Sequence, residues 1–150
     1  MNPDAPTIAY GPDAVPVGYH RLHPDPGMEF QLNRFLQWIG RSALDEIRAA
    51  ATRIVSYPTW IDTFLALAAT AREEGRVLPA AYYDRAAEFF MAPGDPRRPA
   101  ARARFLRGMR GRYGLRPVQV AHRDVTLPAY DIHPAGASRG TVLFTGGFDE

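Results

Sequence analysis

The feature that most constrains this chain is a short apolar run close to its C-terminal end. Residues 141–144 read TVLF, and Gly146 and Gly147 follow shortly after. A continuous run of β-forming apolar residues, without alternation, is typical of a strand that is covered on both faces, as in parallel sheets. The run therefore predicts a buried central strand. We expect the 150 residues to be the N-terminal portion of a larger protein, cut just after that strand.

The composition is that of an ordinary globular chain, because 46% of its residues are apolar and general disorder is thereby excluded. No apolar run has the length of a bilayer span, and the proline-rich N-terminus lacks the basic start and apolar core of a signal peptide. The chain has no cysteine, which excludes disulfides, a thiolate nucleophile and cysteine-based metal sites. These features favour a soluble, cytoplasmic protein with no membrane partner.

Arginine supplies all 18 basic residues, and eight of them fall between Arg97 and Arg116. Such a cluster suits a nucleic-acid surface. It also suits a solvated helix face whose aliphatic stems cover apolar surface. We favour the second interpretation, with no nucleic-acid partner, because no recognition motif accompanies the arginines.

Composition and periodicity divide the chain into three parts. Residues 1–26 are rich in proline and predict an extended arm. Residues 27–113 repeat apolar residues at helical spacing and predict five helices. Residues 114–150 change to β-forming residues and turn chemistry. The expected fold class is α/β, with a mostly helical N-terminal cap region followed by the first strands of a sheet.

Breakers and capping residues separate the predicted helices. Gly40 and Gly75 are expected to end the first and the third helix, and Pro79 suits the first turn of the fourth. Thr59 is expected to cap the third helix. The residues expected on the buried face of the fifth helix are Ala103, Leu106, Met109 and Tyr113.

A β-hairpin is predicted from residues 118–122 and 127–132, with Arg123 and Asp124 at its turn. Residues 134–140 carry turn chemistry, and residues 141–144 would form a third strand. Ser138 lies in a G-x-S-x-G pattern, which in a nucleophile elbow follows a strand and opens a helix. Here a proline precedes the pattern and a strand is expected after it, so Ser138 is predicted to be a loop residue.

The histidines do not predict a metal site. His20 and His23 are three residues apart, a spacing that serves a metal on a helix. They lie among prolines with no third ligand nearby, and His122 and His133 have no sequence-local partner. We expect loop or interface histidines, no metal and no cofactor.

Aromatic residues of the third and fourth helices have two interpretations. Trp60, Tyr82 and Tyr83 would line a hydrophobic substrate pocket if the helices served as a lid. Core packing is the default for aromatic residues at helical spacing. Both interpretations stay open at this point.

The glycine pair and the two residues after it predict an oxyanion hole. Acyl chemistry develops negative charge on a carbonyl oxygen, and backbone N–H groups fixed about 3 Å away stabilise it. Gly146 and Gly147 allow the close backbone approach that this requires. A carboxylate at Asp149 would then lie beside the hole, where it could bind a substrate hydroxyl or transfer a proton.

With these residues in place, the chain resembles the α/β-hydrolases that carry a helical N-terminal region. It is most similar to the group of 2,6-dihydroxypseudooxynicotine hydrolase and the fungal polyketide-shortening hydrolases. The matching stretches are AAEFFMAPGDPRRPAARARF, LPAYDIHP and TVLFTGGFDE. The resemblance covers most of the chain but only the front of the hydrolase domain. It implies that the Phe148 N–H belongs to the oxyanion hole, and that Asp149 stands where the carbon–carbon-bond hydrolases have a catalytic Glu.

The predicted function is therefore the N-terminal part of a serine α/β-hydrolase. It would hydrolyse an ester or a carbon–carbon bond at the carbonyl of a small, aromatic or polyketide-like substrate. Alone it lacks the family's Ser, Asp and His, so it should be inactive. Its expected partners are the remainder of the hydrolase domain and a second copy bound through the helices. The alternative is a non-catalytic helical adaptor whose C-terminal strand completes a partner's sheet.

Overall fold

The described part of the chain forms a helical unit and a separate β-hairpin unit. The computed structural model describes residues 19–133 and 136–146, and the chain divides into two compact units between Arg112 and Tyr113. The fold is thus mixed, mostly helical with a small antiparallel sheet. In chain order the elements are α1 (Pro26–Ile39), a 3₁₀ turn (Arg41–Ala43), α2 (Leu44–Ala51), α3 (Tyr57–Glu73), α4 (Val77–Phe89), α5 (Arg98–Tyr113), β1 (Arg116–His122) and β2 (Val125–Asp131).

Helix α1 begins and ends at residues that the local chemistry selects. The Asp25 side chain accepts a hydrogen bond from the Met28 N–H at 2.9 Å, and Pro26 occupies the first helical position, where its missing N–H has no cost. Gly40 follows with φ of 109°, which confirms the predicted end of this helix. The segment before α1 is held by Asn33, whose amide accepts from the His20 N–H and donates to the His20 carbonyl.

The N-terminus of α3 carries a capping box, although the capping residue differs from the prediction. Ser56 is the N-cap, and its hydroxyl accepts from the Thr59 N–H while Thr59 Oγ1 accepts from the Ser56 N–H. The prediction that Thr59 itself caps the helix was wrong. The reason is that Tyr57 and Pro58 already belong to the helix, since proline is tolerated in the first turn.

Helices α3 and α4 pack against each other and form most of the core of the helical unit. Gly75, with φ of 72°, lies in the short connection between them and confirms the predicted end of α3. Aromatic rings fill the interior: the Trp60 and Phe64 ring centroids lie 4.7 Å apart, and Phe64 and Tyr83 lie 5.8 Å apart. These rings are fully buried, so burial of large apolar groups holds this unit together.

Helix α5 is attached in a different way from the other helices. Ala101 is its one buried residue. Of the positions predicted to face inward, Ala103 and Tyr113 are exposed, and Leu106 and Met109 are half-buried. The predicted apolar face of α5 was therefore wrong. Ion pairs between α5 arginines and α4 carboxylates replace it, as described below.

The hairpin forms as predicted, but the third strand does not. β1 pairs antiparallel with β2 in a register that places Val118 opposite Ala129 and His122 opposite Val125, and the turn residue Arg123 has φ of 52°. Residues 141–146 form no strand. A central strand needs hydrogen-bonding neighbours on both sides, and the described residues provide none for this segment.

Among the described residues, no helix combines the length and the hydropathy that a membrane span requires.

Candidate functional site

The helical unit contains a cavity of about 300 Å³ between the end of α3, the start of α4 and the C-terminal part of α5. Its charged lining residues are four arginines, Arg72, Arg76, Arg104 and Arg107, and one acidic residue, Asp84. Its remaining wall is built from small or apolar residues: Gly75, Val77, Ala80, Ala81, Gly108 and Gly111. We call it the arginine cavity.

Asp84 is the buried anionic group of the arginine cavity, with 1% of its surface exposed. Arg104 donates to its carboxylate from Nε at 3.0 Å and from Nη2 at 2.7 Å, and Arg72 donates from Nη1 at 2.6 Å. A buried carboxylate is tolerated only when its charge and its lone pairs are satisfied. Two guanidinium groups face one carboxylate here, so the cluster keeps an excess positive charge.

Arg76 pairs with two carboxylates, one on α2 and one in the α3–α4 connection. Its Nη1 and Nη2 donate to the two oxygens of Glu46 at 3.0 and 2.9 Å, and its Nε donates to Glu74 at 2.6 Å. The Tyr83 hydroxyl donates to Glu46 at 2.6 Å. This network joins α2, α4 and the α3–α4 connection, and bidentate arginine pairs of this kind fix orientation as well as charge.

Two pKa values in this network are displaced by identifiable causes. Burial by itself would raise the pKa of Glu46, but hydrogen bonds from Arg76 and Tyr83 and the charge of Arg76 hold it below its ordinary value. Burial, followed by the bond to Glu46, raises the pKa of the Tyr83 hydroxyl well above its ordinary value. Glu46 is thus an anion and Tyr83 a neutral donor near neutral pH.

Arg107 is exposed and differs from the other arginines of the cavity, because it forms no hydrogen bond or ion pair within the part of the chain that the structure describes. The side chains that line the cavity include no hydroxyl, thiol or imidazole. The arrangement can therefore bind and orient an anion, but its lining offers no hydroxyl or thiol nucleophile.

Glu88 is a second buried carboxylate on α4, one helical turn after Asp84. It receives an ion pair from Arg85, and it accepts from Arg98 Nε at 3.2 Å and from Arg102 Nη1 at 3.4 Å. Burial alone would raise the pKa of Glu88, but the three arginines together lower it. The two carboxylates of α4 therefore anchor α5 through charge, where the other helices use apolar contacts.

Most of the arginine cluster between Arg97 and Arg116 is engaged inside the protein. The members that pair with carboxylates are Arg97, Arg98, Arg102, Arg104 and Arg116. Arg97, for example, binds both Asp62 and Asp95, and its hydrogen bonds lower the pKa of Asp95 to about 2. The cluster is thus largely an ion-pair network rather than a free basic surface.

The aromatic residues that were candidates for a substrate pocket lie in and beside the core. Trp60 and Tyr83 are fully buried, and Trp60 Nε1 donates to the Ala86 carbonyl at 2.8 Å. Tyr82 is half-buried and stacks on Trp38 with ring centroids 5.9 Å apart. Trp60 and Tyr83 both pack on Phe64, whereas Tyr82 faces Trp38. None of the three lines the arginine cavity.

Of the predicted oxyanion residues, the structure describes Gly146, which is exposed. Gly147, Phe148 and Asp149 lie outside the described residues. Ser138 lies in irregular backbone and donates to the Gly140 carbonyl at 2.8 Å, in agreement with its prediction as a loop residue.

In the N-terminal segment the His23 side chain makes structural contacts. His23 Nδ1 accepts from the Asp25 N–H, and His23 Nε2 lies 2.8 Å from the Ile54 carbonyl, to which it donates in this tautomer. Within residues 19–133 and 136–146, no group of three acidic, histidine or cysteine side chains is arranged to hold a metal ion.

Sequence reasoning missed the arginine cavity altogether. A usable signal was present, because Asp84 and Glu88 are four residues apart on one face of α4 and the arginines of α5 follow after a short connection. This spacing favours pairing of the α5 arginines with the carboxylates of the preceding helix, which is the arrangement that the structure has.

Comparison with known proteins adds no relative. No protein-family model matches the chain, and no curated protein and no solved structure is found to be similar to it.

Proposed function

We propose that this chain is the N-terminal part of a serine α/β-hydrolase, in which the helical unit serves as a cap and the hairpin unit begins the catalytic sheet. The observation that carries the proposal is the exposure of the apolar segment after the hairpin. Val142 and Leu143 are each 90% exposed and Phe144 is 82% exposed. Three consecutive apolar residues in contact with water are costly, since each loses the free energy that burial would contribute.

The hairpin itself supports the same conclusion. No described residue of the hairpin unit is buried, and Val120, Val125 and Leu127 are each about half exposed. A two-stranded hairpin is at best marginally stable in water unless further strands or a helix cover one face. Contiguous apolar surface of this kind marks a region that other polypeptide covers.

The order of the exposed residues indicates what kind of structure would bury this segment. In an extended segment, Val142 and Phe144 would point to one side and Leu143 to the other. Apolar residues on both sides suit an inner strand of a sheet with helices on both faces, which is the arrangement of doubly covered α/β sheets. An edge strand packed on one face would need polar residues at alternate positions.

The chemistry of the proposal rests on the resemblance described above. The Phe148 N–H, held by the preceding glycines, would stabilise the oxyanion, and Asp149 would orient the substrate. The nucleophile, its acid partner and its histidine would follow later in the chain, in the order that this family uses.

Activity assays test the proposal directly. The 150-residue chain should not hydrolyse p-nitrophenyl esters, whereas the product of a reading frame extended beyond codon 150 should do so. That extension should contain a strand, a G-x-S-x-G turn and a helix, and replacement of its Ser by Ala should abolish turnover. Ester turnover by the 150-residue chain alone would contradict the proposal.

A substitution in the exposed segment tests the structural part. Leu143→Asp should leave the unfolding midpoint of the 150-residue chain unchanged, because the side chain is in water. In the extended protein the same change should destabilise by about 2 kcal/mol or more, as burial of an unpaired charge does. Arg139→Asp, in the exposed loop before the segment, is the matched control and should be tolerated in both proteins. If Leu143→Asp is tolerated in both and the chain instead pairs with another protein, the adaptor alternative is favoured.

A further inference from the structure

The arginine cavity carries more positive than negative charge. Arg72 and Arg104 share one carboxylate, that of Asp84. Arg107 adds a guanidinium with no partner among the described residues, while Arg76 is offset by Glu46 and Glu74. Counted together, the four arginines of the cavity and the three carboxylates bonded to them keep one net positive charge, with Glu46 and Glu74 lying outside the cavity lining. The planar fork of a guanidinium group matches the oxygen geometry of a carboxylate and can pair with it through two hydrogen bonds.

The remaining wall is apolar and closely packed. Ala80 and Ala81 are buried beneath the cavity, and a Cβ at Gly108 would lie 2.7 Å from the Ala81 Cβ, so α4 and α5 approach closely at its base. The volume of about 300 Å³ lies at the lower end of the roughly 300–1,000 Å³ of small-molecule sites. The cavity therefore suits a small ligand with an apolar body.

The start of α4 adds to the attraction for an anion. Val77, the first residue of this helix, lines the cavity, and no side chain caps the helix N-terminus. The N–H groups of Val77 and Leu78 in this first turn carry a partial positive charge that favours anions, whereas the third residue, Pro79, has no N–H. This contribution has the same sign as that of Arg107 and lies at the same cavity.

We propose that the arginine cavity is a binding site for a small organic monocarboxylate. Its carboxylate would pair with Arg107 and the outward edge of Arg104, and its apolar body would lie against Val77 and Ala81. One net positive charge is balanced by a monoanion, whereas a dianion would leave a charge uncompensated. The site lies wholly within the helical unit and has no nucleophile, so it goes beyond the proposed hydrolase function and does not depend on it.

Calorimetric titration of the 150-residue chain with three matched probes tests the chemistry. Benzoate should bind with millimolar affinity or better. Benzamide, which has the same shape without the charge, should bind at least about tenfold more weakly, since a charge-assisted hydrogen bond is lost. Phenyl phosphate, a dianion at pH 8, should also bind more weakly than benzoate.

Variants locate the site. Arg107→Gln should weaken benzoate binding by about tenfold, and Arg107→Lys should recover part of it because charge is kept while the planar fork is lost. Gly111→Leu should fill part of the cavity and block benzoate binding. The variant should fold, because a Cβ at this position meets nothing within 4 Å and leucine is a better helix former than glycine. Arg53→Gln, an exposed arginine outside the cavity, is the control and should bind as the parent chain does.

Three results would overturn the proposal. Equal affinity for benzoate and benzamide would show that charge does not contribute. Benzoate binding unchanged in both Arg107→Gln and Gly111→Leu would place the site elsewhere. If the folded parent chain bound no benzoate at concentrations on the order of 10 mM, the cavity would not be a carboxylate site.

Discussion

The Arg104 guanidinium holds the Asp84 carboxylate through bonds from Nε to both of its oxygens at 3.0 Å and from Nη2 at 2.7 Å. One residue is on α5 and the other on α4, so this pair fixes how the two helices meet. It also sets one wall of the arginine cavity. The same contact therefore serves the packing of the helical unit and the electrostatics of its cavity.

Removal of the Asp84 charge should destabilise the helical unit. Asp84→Asn leaves Arg72 and Arg104 without a counter-charge, and because both arginines keep some contact with water the expected loss is about 2 to 3 kcal/mol. Urea unfolding monitored by far-UV circular dichroism measures it.

The matched control for that change is Asp62→Asn. Asp62 also pairs with an arginine, Arg97, but its side chain is 69% exposed. Exposed pairs contribute roughly 0 to 1 kcal/mol, so this variant should unfold close to the parent chain. Equal effects of the two variants would mean that burial does not decide the strength of the α4–α5 ion pairs.

Two glycines of α5 should respond to alanine with opposite signs. Gly108→Ala forces a Cβ to within 2.7 Å of the Ala81 Cβ, whereas at Gly111 the added Cβ meets nothing. At Gly108 the overpacking costs about 1 to 3 kcal/mol, which exceeds the roughly 1 kcal/mol that alanine gains over glycine in helix propensity. At Gly111 there is no overpacking, so only the gain in helix propensity remains. Thermal unfolding should show a lower midpoint for Gly108→Ala and a higher one for Gly111→Ala. A stabilising Gly108→Ala would show that α4 and α5 can separate at no cost.

The capping box of α3 should contribute measurably to stability. Ser56→Ala removes the hydroxyl that accepts from the Thr59 N–H, and N-cap losses of this kind cost about 1 kcal/mol. Ser42→Ala is the control, since no side chain caps the 3₁₀ turn in which Ser42 lies, and its effect should stay within about 0.5 kcal/mol. Chemical denaturation measures the free energy of unfolding of both variants. An unchanged free energy of unfolding for Ser56→Ala would contradict the assignment of Ser56 as the cap.

Stability should fall in acid partly because of Glu88. Arginine contacts lower its pKa in the folded protein below the ordinary value of 4.5, so the unfolded chain binds more protons in this range. The contribution of Glu88 is therefore complete above about pH 4.5 and is lost as the pH falls through the folded pKa.

The variant that checks this is Glu88→Gln, which should have a lower stability near neutral pH and a shallower loss between pH 5 and pH 3. Glu73→Gln, on the exposed side of α3, should keep the parent profile. If the stability of the parent chain and that of Glu88→Gln fell equally steeply between pH 5 and pH 3, a role of Glu88 in the pH dependence would be excluded.

Local chemistry in the sequence was sufficient to place the ends of two helices and the hairpin. Gly40 and Gly75 marked helix ends because positive φ strains any residue with a Cβ, and the hairpin followed from two β-forming runs around Arg123 and Asp124. These signals act over a few residues, so the sequence alone contains them. The cap of α3 was misplaced by three residues, at Thr59 instead of Ser56, since both residues take part in the same capping box.

What the tertiary structure decided is which side chains meet across elements. The sequence analysis interpreted the α5 arginines as a solvated helix face. In the structure Arg98 and Arg102 bind Glu88 and Arg104 binds Asp84, because their long side chains extend from α5 to the carboxylates of α4. The arginine cavity exists through that same contact. The sequence alone determined a strand-forming apolar segment at residues 141–144; it forms no strand here, because a strand is completed by hydrogen bonds to neighbours and by burial, which no local pattern can supply.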